Sequence, residues 1–399
     1  MITPTRRSFL KQAALLSAAT LPTSLWPKTS FAREKAGPDL SEAESKKLAE
    51  IAQGFLNEVG SPGLSVAVAR YGEMVYEQGF GYASSQGDEV TSSHLFRIAS
   101  VSKPITSATI FSLIEKGDLQ LDDLVFGPNG RLGLDYGANY PENVKQMTVR
   151  HLLTHTGGGW GNDGKDPMFA QTQMDHAQLI EWTLRNNPLD YAPGTHYAYS
   201  NFGYCILGRI IESLTGQSYI KAVQELVLKK CAVEDMRLAT NEQAPNEVRY
   251  LGQNGEKPYS MNVSRMDSHG GWIATAGDLV RFATCMDGFD NPADILKAET
   301  IQTMTTPSAV NAGYACGWSI TNPNWWHSGS LPGTSSILVR IPSGLCWAAL
   351  TNSRTAQTGS ALDQMMWKMV LAVPRWEALE KPKTPGKPRN LNKPNVQLT

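Results

Sequence analysis

Three short clusters hold the residue types that make and break an acyl bond. Ser100 and Lys103 stand in Phe96-Arg97-Ile98-Ala99-Ser100-Val101-Ser102-Lys103-Pro104, just ahead of the apolar run ITSATIFSLIEKG. The i, i+3 spacing puts a hydroxyl and an ammonium on one face of a helix entrance. Pro104 fits a first turn, where its missing N–H is not needed. A serine beside an amine at the positive end of a helix is activated as a nucleophile. Its own backbone N–H is aimed at any oxyanion that forms there. The spacing alone is common, since Ser8-Phe9-Leu10-Lys11 also matches it.

The second cluster is Tyr199-Ser200-Asn201, within YAPGTHYAYSNFGYCILGRIIE. It lies on a loop ahead of an amphipathic helix, where a phenol and a carboxamide project into a cleft. A phenol near ammonium or imidazolium groups loses its proton more easily than a free one. Tyr and Asn at a helix entry also commonly pack and cap. The third cluster is His327-Ser328-Gly329-Ser330, after Trp325-Trp326 and before the strand pattern at 336–340. His155-Thr156-Gly157 and His269-Gly270-Gly271 share its H-x-G spacing. His155 ends a predicted helix and His269 precedes another. Only His327 lies among strand patterns, where an edge lets a substrate backbone pair alongside.

The elements that must hold these clusters follow from periodicity. Residues 40–59 predict a helix, with Leu48, Ile51, Phe55 and Leu56 at helical spacing behind a Ser41 cap and Glu44. Residues 63–82 predict a hairpin turning at Arg70-Tyr71-Gly72-Glu73. Helical periods dominate from about 100 to 301. Strand patterns return in YACGWSI, SSILVRI and LCWAALT, and a helix over 361–373 closes the fold. The pattern predicts an α+β fold: an antiparallel sheet built by the N- and C-terminal segments, with flanking helices and an inserted helical region.

Taken in order, S-x-x-K at 100, Y-x-N at 199 and H-x-G at 327 resemble the serine beta-lactamase/DD-peptidase superfamily. The resemblance is to the branch of class C beta-lactamases, D-alanyl-D-alanine carboxypeptidases, D-aminopeptidases and esterases. HLLTHTGG at 151–158, GGWIATAGDLVRF at 270–282 and WWHSGSLPGTSS at 325–336 look like the same family, over about 50–372. The resemblance implies a beta-lactamase/transpeptidase-like fold. It also implies that Ser100 attacks a carbonyl to form an acyl-enzyme, with Lys103 and Tyr199 sharing the general-base role. Asn201 would bond the substrate's amide or carbonyl, His327 with Gly329 would contact its acidic or polar end, and the N–H groups of Ser100 and Ser330 would form the oxyanion hole.

Many beta-lactamases of the superfamily carry lysine where His327 stands. A histidine titrates near about 6.5 when unperturbed and grips a carboxylate less reliably. This moves the expectation from a dedicated beta-lactamase towards a peptidase- or esterase-like hydrolase that cleaves amide or ester bonds in a D-amino-acid peptide, a small ester or a beta-lactam. The alternatives are a dedicated class C-like beta-lactamase and a catalytically silent homologue that binds peptidoglycan or a protein.

Thr5-Arg6-Arg7-Ser8-Phe9-Leu10-Lys11, followed by a mildly apolar run to Trp26, resembles a twin-arginine signal peptide. Ser30-Phe31-Ala32 suits cleavage after Ala32. The expected organisation is a leader at 1–32, a hydrolase domain at 33–380 and a Pro/Lys-rich tail at 381–399. The product would be periplasmic or secreted, with no stable membrane span after cleavage. The whole chain has 399 residues, 36 Lys and Arg against 37 Asp and Glu, and a net charge of -1. No basic field exists to hold a nucleic acid, so the expected partners are small-molecule or peptide substrates, with peptidoglycan as a further one. Removing the leader deletes Arg6, Arg7, Lys11 and Lys28 and no acid, which leaves a mildly acidic protein.

No metal or cofactor is expected. His151 and His155 have the spacing of a zinc pair, but Leu-Leu-Thr between them lacks the glutamate of H-E-x-x-H, which favours a structural role beside the cleft. The five cysteines are scattered and odd in number, so buried free thiols are expected.

Overall fold

The first helix, α1 (Glu42–Val59), starts where the sequence places its cap: Ser41 accepts from the Glu44 N–H and Glu44 reaches back to the Ser41 N–H. In the computed structural model, which describes residues 40–378, α1 leads into the hairpin β1 (Gly63–Arg70) and β2 (Glu73–Gly81). Tyr71 and Gly72 form its two-residue turn, both with positive φ, as a tight hairpin requires. The C-terminal part supplies β3 (Ser319–Thr321), β4 (Asn324–Leu331), β5 (Thr334–Arg340) and β6 (Leu345–Thr351), then a long helix over Thr358–Ala372. The six strands form one sheet in the order β2-β1-β6-β5-β4-β3, every neighbouring pair antiparallel. The two ends of the described chain thus meet at the β1–β6 ladder.

β1, β5 and β6 are buried along their full length, so their side chains divide between two cores by strand alternation. Leu64, Val66, Val68, Leu345, Trp347 and Ala349 face α1 and the C-terminal helix. Ala67, Ala69, Cys346, Ala348 and Leu350 face the helical region. The alanines on that second face leave room for Ala276–Thr284, a helix capped by Thr275 that packs against β1 and β6.

The helical region holds two helices that matter for the site, α2 (Ser102–Lys116) and α3 (Asn201–Thr215). α2 is buried on all sides from Ser102 to Leu113, which explains its weak amphipathic pattern. Sequence periodicity overlooked a second sheet in this region, made of Phe96–Arg97, Trp272–Ala274 and Arg237–Leu238. These strands are two or three residues long, too short to show alternation. YACGWSI also differs from expectation, because only Ser319 onward is strand, while Tyr314 makes an isolated bridge to Ser319 and residues 315–318 are loop.

All described residues belong to one compact unit. The expected leader at 1–32 and tail at 381–399 lie outside the described residues. Among the described residues, no helix is long and apolar enough to cross a membrane, and all five cysteines are buried free thiols.

Candidate active site

Ser100 does not sit on α2 itself but in a 3-10 turn, Ala99–Val101, that leads into it. Ala99 adopts a left-handed φ of 48°, a conformation costly for a residue with a side chain. Several bonds hold that turn. Thr334 and Ser336 of β5 donate to the carbonyls of Arg97 and Ile98 (3.0 and 2.6 Å), Ile98 donates to Trp272 (3.0 Å), and Ser102 Oγ donates to Ala99 O (2.7 Å). The nucleophile candidate is therefore stitched to both sheets.

One helical turn on, Lys103 is fully buried. Its Nζ lies 3.1 Å from Ser100 Oγ, 2.7 Å from Asn201 Oδ1 and 3.0 Å from the His269 carbonyl oxygen. Burial pulls its pKa down to about 7, opposed by the carboxylate of Asp166. With its proton shed, two N–H bonds donate to the fixed oxygens of Asn201 and His269, and the lone pair is left facing the Ser100 hydroxyl.

Tyr199 is hydrogen-bonded to Ser100, and its ring centroid lies 4.8 Å from Lys103 Nζ. Burial pushes the phenol pKa up, against the sequence expectation that neighbouring cations would ease its ionisation. The reason is that its neighbours are largely uncharged: His155 and His327 are both driven neutral by burial. His155 brackets the tyrosine. Its carbonyl accepts from Ala198 N (2.8 Å), its Nδ1 accepts from Ser200 N (3.1 Å), and its ring lies 4.2 Å from the Tyr199 ring.

Asn201 opens α3, behind the Ser200 cap. Its Oδ1 accepts from Lys103, its backbone N–H donates to Asp166 Oδ2 (2.8 Å), and its side chain also bonds that carboxylate. Asn201 thus links Asp166 to Lys103. Asp166 escaped sequence reading altogether. The signal was present as Asp166-Pro167, a capping residue before a first-turn proline, but nothing in it announced proximity to Lys103.

The third cluster lies on β4. Pro332-Gly333 closes the β4–β5 hairpin on the pair Leu331–Thr334, so ladder bonds alternate and the N–H groups of Ser328 and Ser330 point away from β5. β3 covers β4 only over Asn324–Trp326, which leaves that edge open at Ser330. Gly329 packs on the nucleophile's turn, and a Cβ there would strike Ile98 O and Ser336 Oγ. Its lack of a side chain lets β4 approach Ser100 closely.

His327 lies beside Tyr199, on a strand as the pattern around it suggested. The ring is 3 % exposed, its Nδ1 lies 2.7 Å from Ser328 O, and its Nε2 lies 3.1 Å from Tyr314 Oη. A carbonyl only accepts, so Nδ1 carries the proton and Nε2 accepts from the tyrosine. Both nitrogens are committed within the protein, and burial draws the pKa down to about 3. The ring borders Tyr199, at 6.3 Å between centroids.

Among the described residues, no group of three or more His, Cys, Asp or Glu side chains stands where it would hold a metal ion. His151 instead caps a short helix, its Nδ1 accepting from Thr148 N at 3.2 Å.

A family model described as Beta-lactamase matches residues 48–366. Penicillin-binding protein 4 of Amycolatopsis lactamdurans is 27% identical over 324 residues, covering 74% of this chain and 82% of that protein. Esterase EstB of Burkholderia gladioli is 33% identical over 186 residues, 43% of this chain and 46% of the esterase. The solved structure of D-amino acid amidase from Ochrobactrum anthropi SV3 with L-phenylalanine superposes at a TM-score of 0.70 and 21% identity, covering 84% of this chain and 99% of the amidase.

Proposed function

From the premise that this chain belongs to the beta-lactamase family and is a serine hydrolase, we propose that Ser100 forms an acyl-enzyme with the amide or ester carbonyl of a D-amino-acid peptide or small ester. The observation that carries this reading is the setting of Lys103 Nζ, held by Asn201 and His269 with its remaining position on Ser100 Oγ.

In acylation, the neutral Lys103 amine takes the Ser100 proton as Oγ bonds to the carbonyl carbon. The oxyanion is met by the N–H groups of Ser100 and Ser330. When the intermediate collapses, the bond to the leaving amine or alcohol breaks. That group takes the proton from Lys103, relayed by the Tyr199 hydroxyl, which stays protonated and touches Ser100. Water then attacks the ester carbonyl as Lys103 accepts its proton. When the second intermediate collapses, the C–Oγ bond breaks and Lys103 returns that proton to Ser100 Oγ, which frees the acid and the neutral amine.

A dedicated beta-lactamase is the weaker reading, because neutral His327 offers no charge to a beta-lactam carboxylate. A silent peptidoglycan- or protein-binding homologue is weaker still, since binding alone has no use for an amine beside a serine. The paired Arg6-Arg7 and the following apolar run support export to the periplasm or beyond as a folded protein.

Intact-mass labelling tests the reading, with a fluorophosphonate and a fluorescent penicillin, wild type against Ser100→Ala. The expected outcome is a fluorophosphonate adduct that vanishes in the variant. Absence of any adduct on wild type would overturn an acyl-enzyme mechanism. Efficient cephalosporin turnover without esterase activity would instead establish the dedicated beta-lactamase.

A further inference from the structure

His155 carries two features that cost stability, and both bear on Tyr199. Its backbone is left-handed, with φ 57°, a conformation rarely adopted by a residue with a side chain. Its ring is buried, and because Nδ1 accepts from Ser200 N, the ring proton sits on Nε2. Nε2 makes no hydrogen bond among the described residues. An unpaired buried donor is destabilising, and strained backbone collects at sites whose surroundings demand it.

In this posture His155 grips both sides of Tyr199. Its carbonyl accepts from the N–H of Ala198, the residue before, at 2.8 Å, and its ring accepts from the N–H of Ser200, the residue after, at 3.1 Å. The Tyr199 carbonyl is held as well, by Asn162 N at 2.6 Å. The imidazole lies against the phenol, 4.2 Å between centroids. The hydroxyl itself bonds Ser100, but that bond cannot aim it throughout the reaction. When the leaving group departs, Ser100 Oγ has given up its proton and is bonded to the carbonyl carbon. The phenol must by then be aimed from its own backbone, and His155 fixes that backbone on both flanks.

We infer that His155 is a positioning residue: its bond to the Ser200 N–H holds the Tyr199 hydroxyl where it passes a proton to the leaving group. This rests on the acyl-enzyme reading above and adds a residue to its relay. No proton moves through His155, whose Nδ1 stays an acceptor throughout. The consequence is selective. A poor leaving group such as an alkoxide must be protonated as it departs, whereas p-nitrophenolate leaves as the anion.

The test compares two esters of one acyl group, ethyl butyrate and p-nitrophenyl butyrate, by kcat/KM, which reports acylation. His155→Phe keeps a ring and removes the acceptor. His155→Asn removes the ring and keeps an acceptor, its Oδ1, near the place of Nδ1. His155→Phe is expected to lose about tenfold or more on ethyl butyrate and no more than about threefold on the p-nitrophenyl ester. His155→Asn is expected to recover most of the loss. Tyr199→Phe should show the same split, and adding His155→Phe to it should bring no further loss. Should His155→Phe not fold, His155→Gln, whose acceptor stands one methylene further out, carries the same comparison. Equal losses on the two esters would mean that His155 serves the fold alone, and would overturn the inference. So would additive losses in the double variant, or a His155→Asn no better than His155→Phe. A Tyr199→Phe variant without the split would remove the relay and this inference with it, while fluorophosphonate labelling of Ser100 would still support the acyl-enzyme. Absence of labelling on wild type would sink the acyl-enzyme reading itself, and this inference with it.

Discussion

Lys103 Nζ lies 3.1 Å from Ser100 Oγ in a buried setting that brings the lysine pKa down to about 7. Only the free amine accepts the serine proton, so the competent fraction grows with pH. The rate of fluorophosphonate labelling, and kcat/KM for a neutral ester, should therefore rise from acid pH through about 7 and level off above it. Lys103→Arg keeps the charge at all these pH values and should lose about 10²–10⁴ in kcat/KM. A profile flat from pH 5 to 8 would remove Lys103 from the base role.

Gly329 is fixed by contact rather than by conformation. A Cβ at this position would meet Ile98 O and Ser336 Oγ, with Ala99 Cβ at 3.0 Å. Gly329→Ala must push β4 away from the turn that bears Ser100, which separates the N–H groups of Ser100 and Ser330. The expected cost is about 1–3 kcal/mol in unfolding free energy, with a larger proportional loss in acylation rate than in substrate binding. Urea unfolding and stopped-flow acylation read the two effects separately. Wild-type acylation in this variant would disconnect the β4 edge from the oxyanion.

The clusters were legible because each sits at a boundary that sequence marks well. Ser100 precedes an apolar helix, Asn201 follows a capping serine, and His327 lies between strand patterns. The main strands were legible for the same reason, since the apolar stretch 337–339 of β5 and the apolar run 345–350 of β6 flank a Pro-Ser-Gly turn. What escaped was set by distant contacts. Asp166 reaches Asn201 across 35 residues. The charge state of His327 depends on burial and on Lys103, and no local spacing encodes either.

His327 gives a sharp spectroscopic expectation. Its Nδ1 donates to Ser328 O and its Nε2 accepts from Tyr314, with burial drawing the pKa to about 3. Nitrogen-15 NMR should therefore show a neutral ring with the proton on Nδ1 throughout pH 5–8. The pH profile of kcat/KM should contain no separate step near about 6.5, the unperturbed histidine value. A ring that protonates between pH 6 and 7 would restore His327 as a cation for the substrate.

Asp166 offers an independent check on who owns the ionisation near pH 7. Its Oδ2 accepts from Asn201 N at 2.8 Å, and its charge raises the proton affinity of Lys103 against the larger effect of burial. Asp166→Asn preserves the shape and the size of the side chain while removing that charge. The ammonium form of Lys103 then loses the carboxylate that favours it, so its pKa falls further. The acid limb of kcat/KM should move to lower pH, and activity at pH 6 relative to the plateau should increase. If Asn201 loosens as well, the plateau drops, but the limb still moves in the acid direction. A limb displaced to higher pH, or left in place, would assign that ionisation to a group other than Lys103.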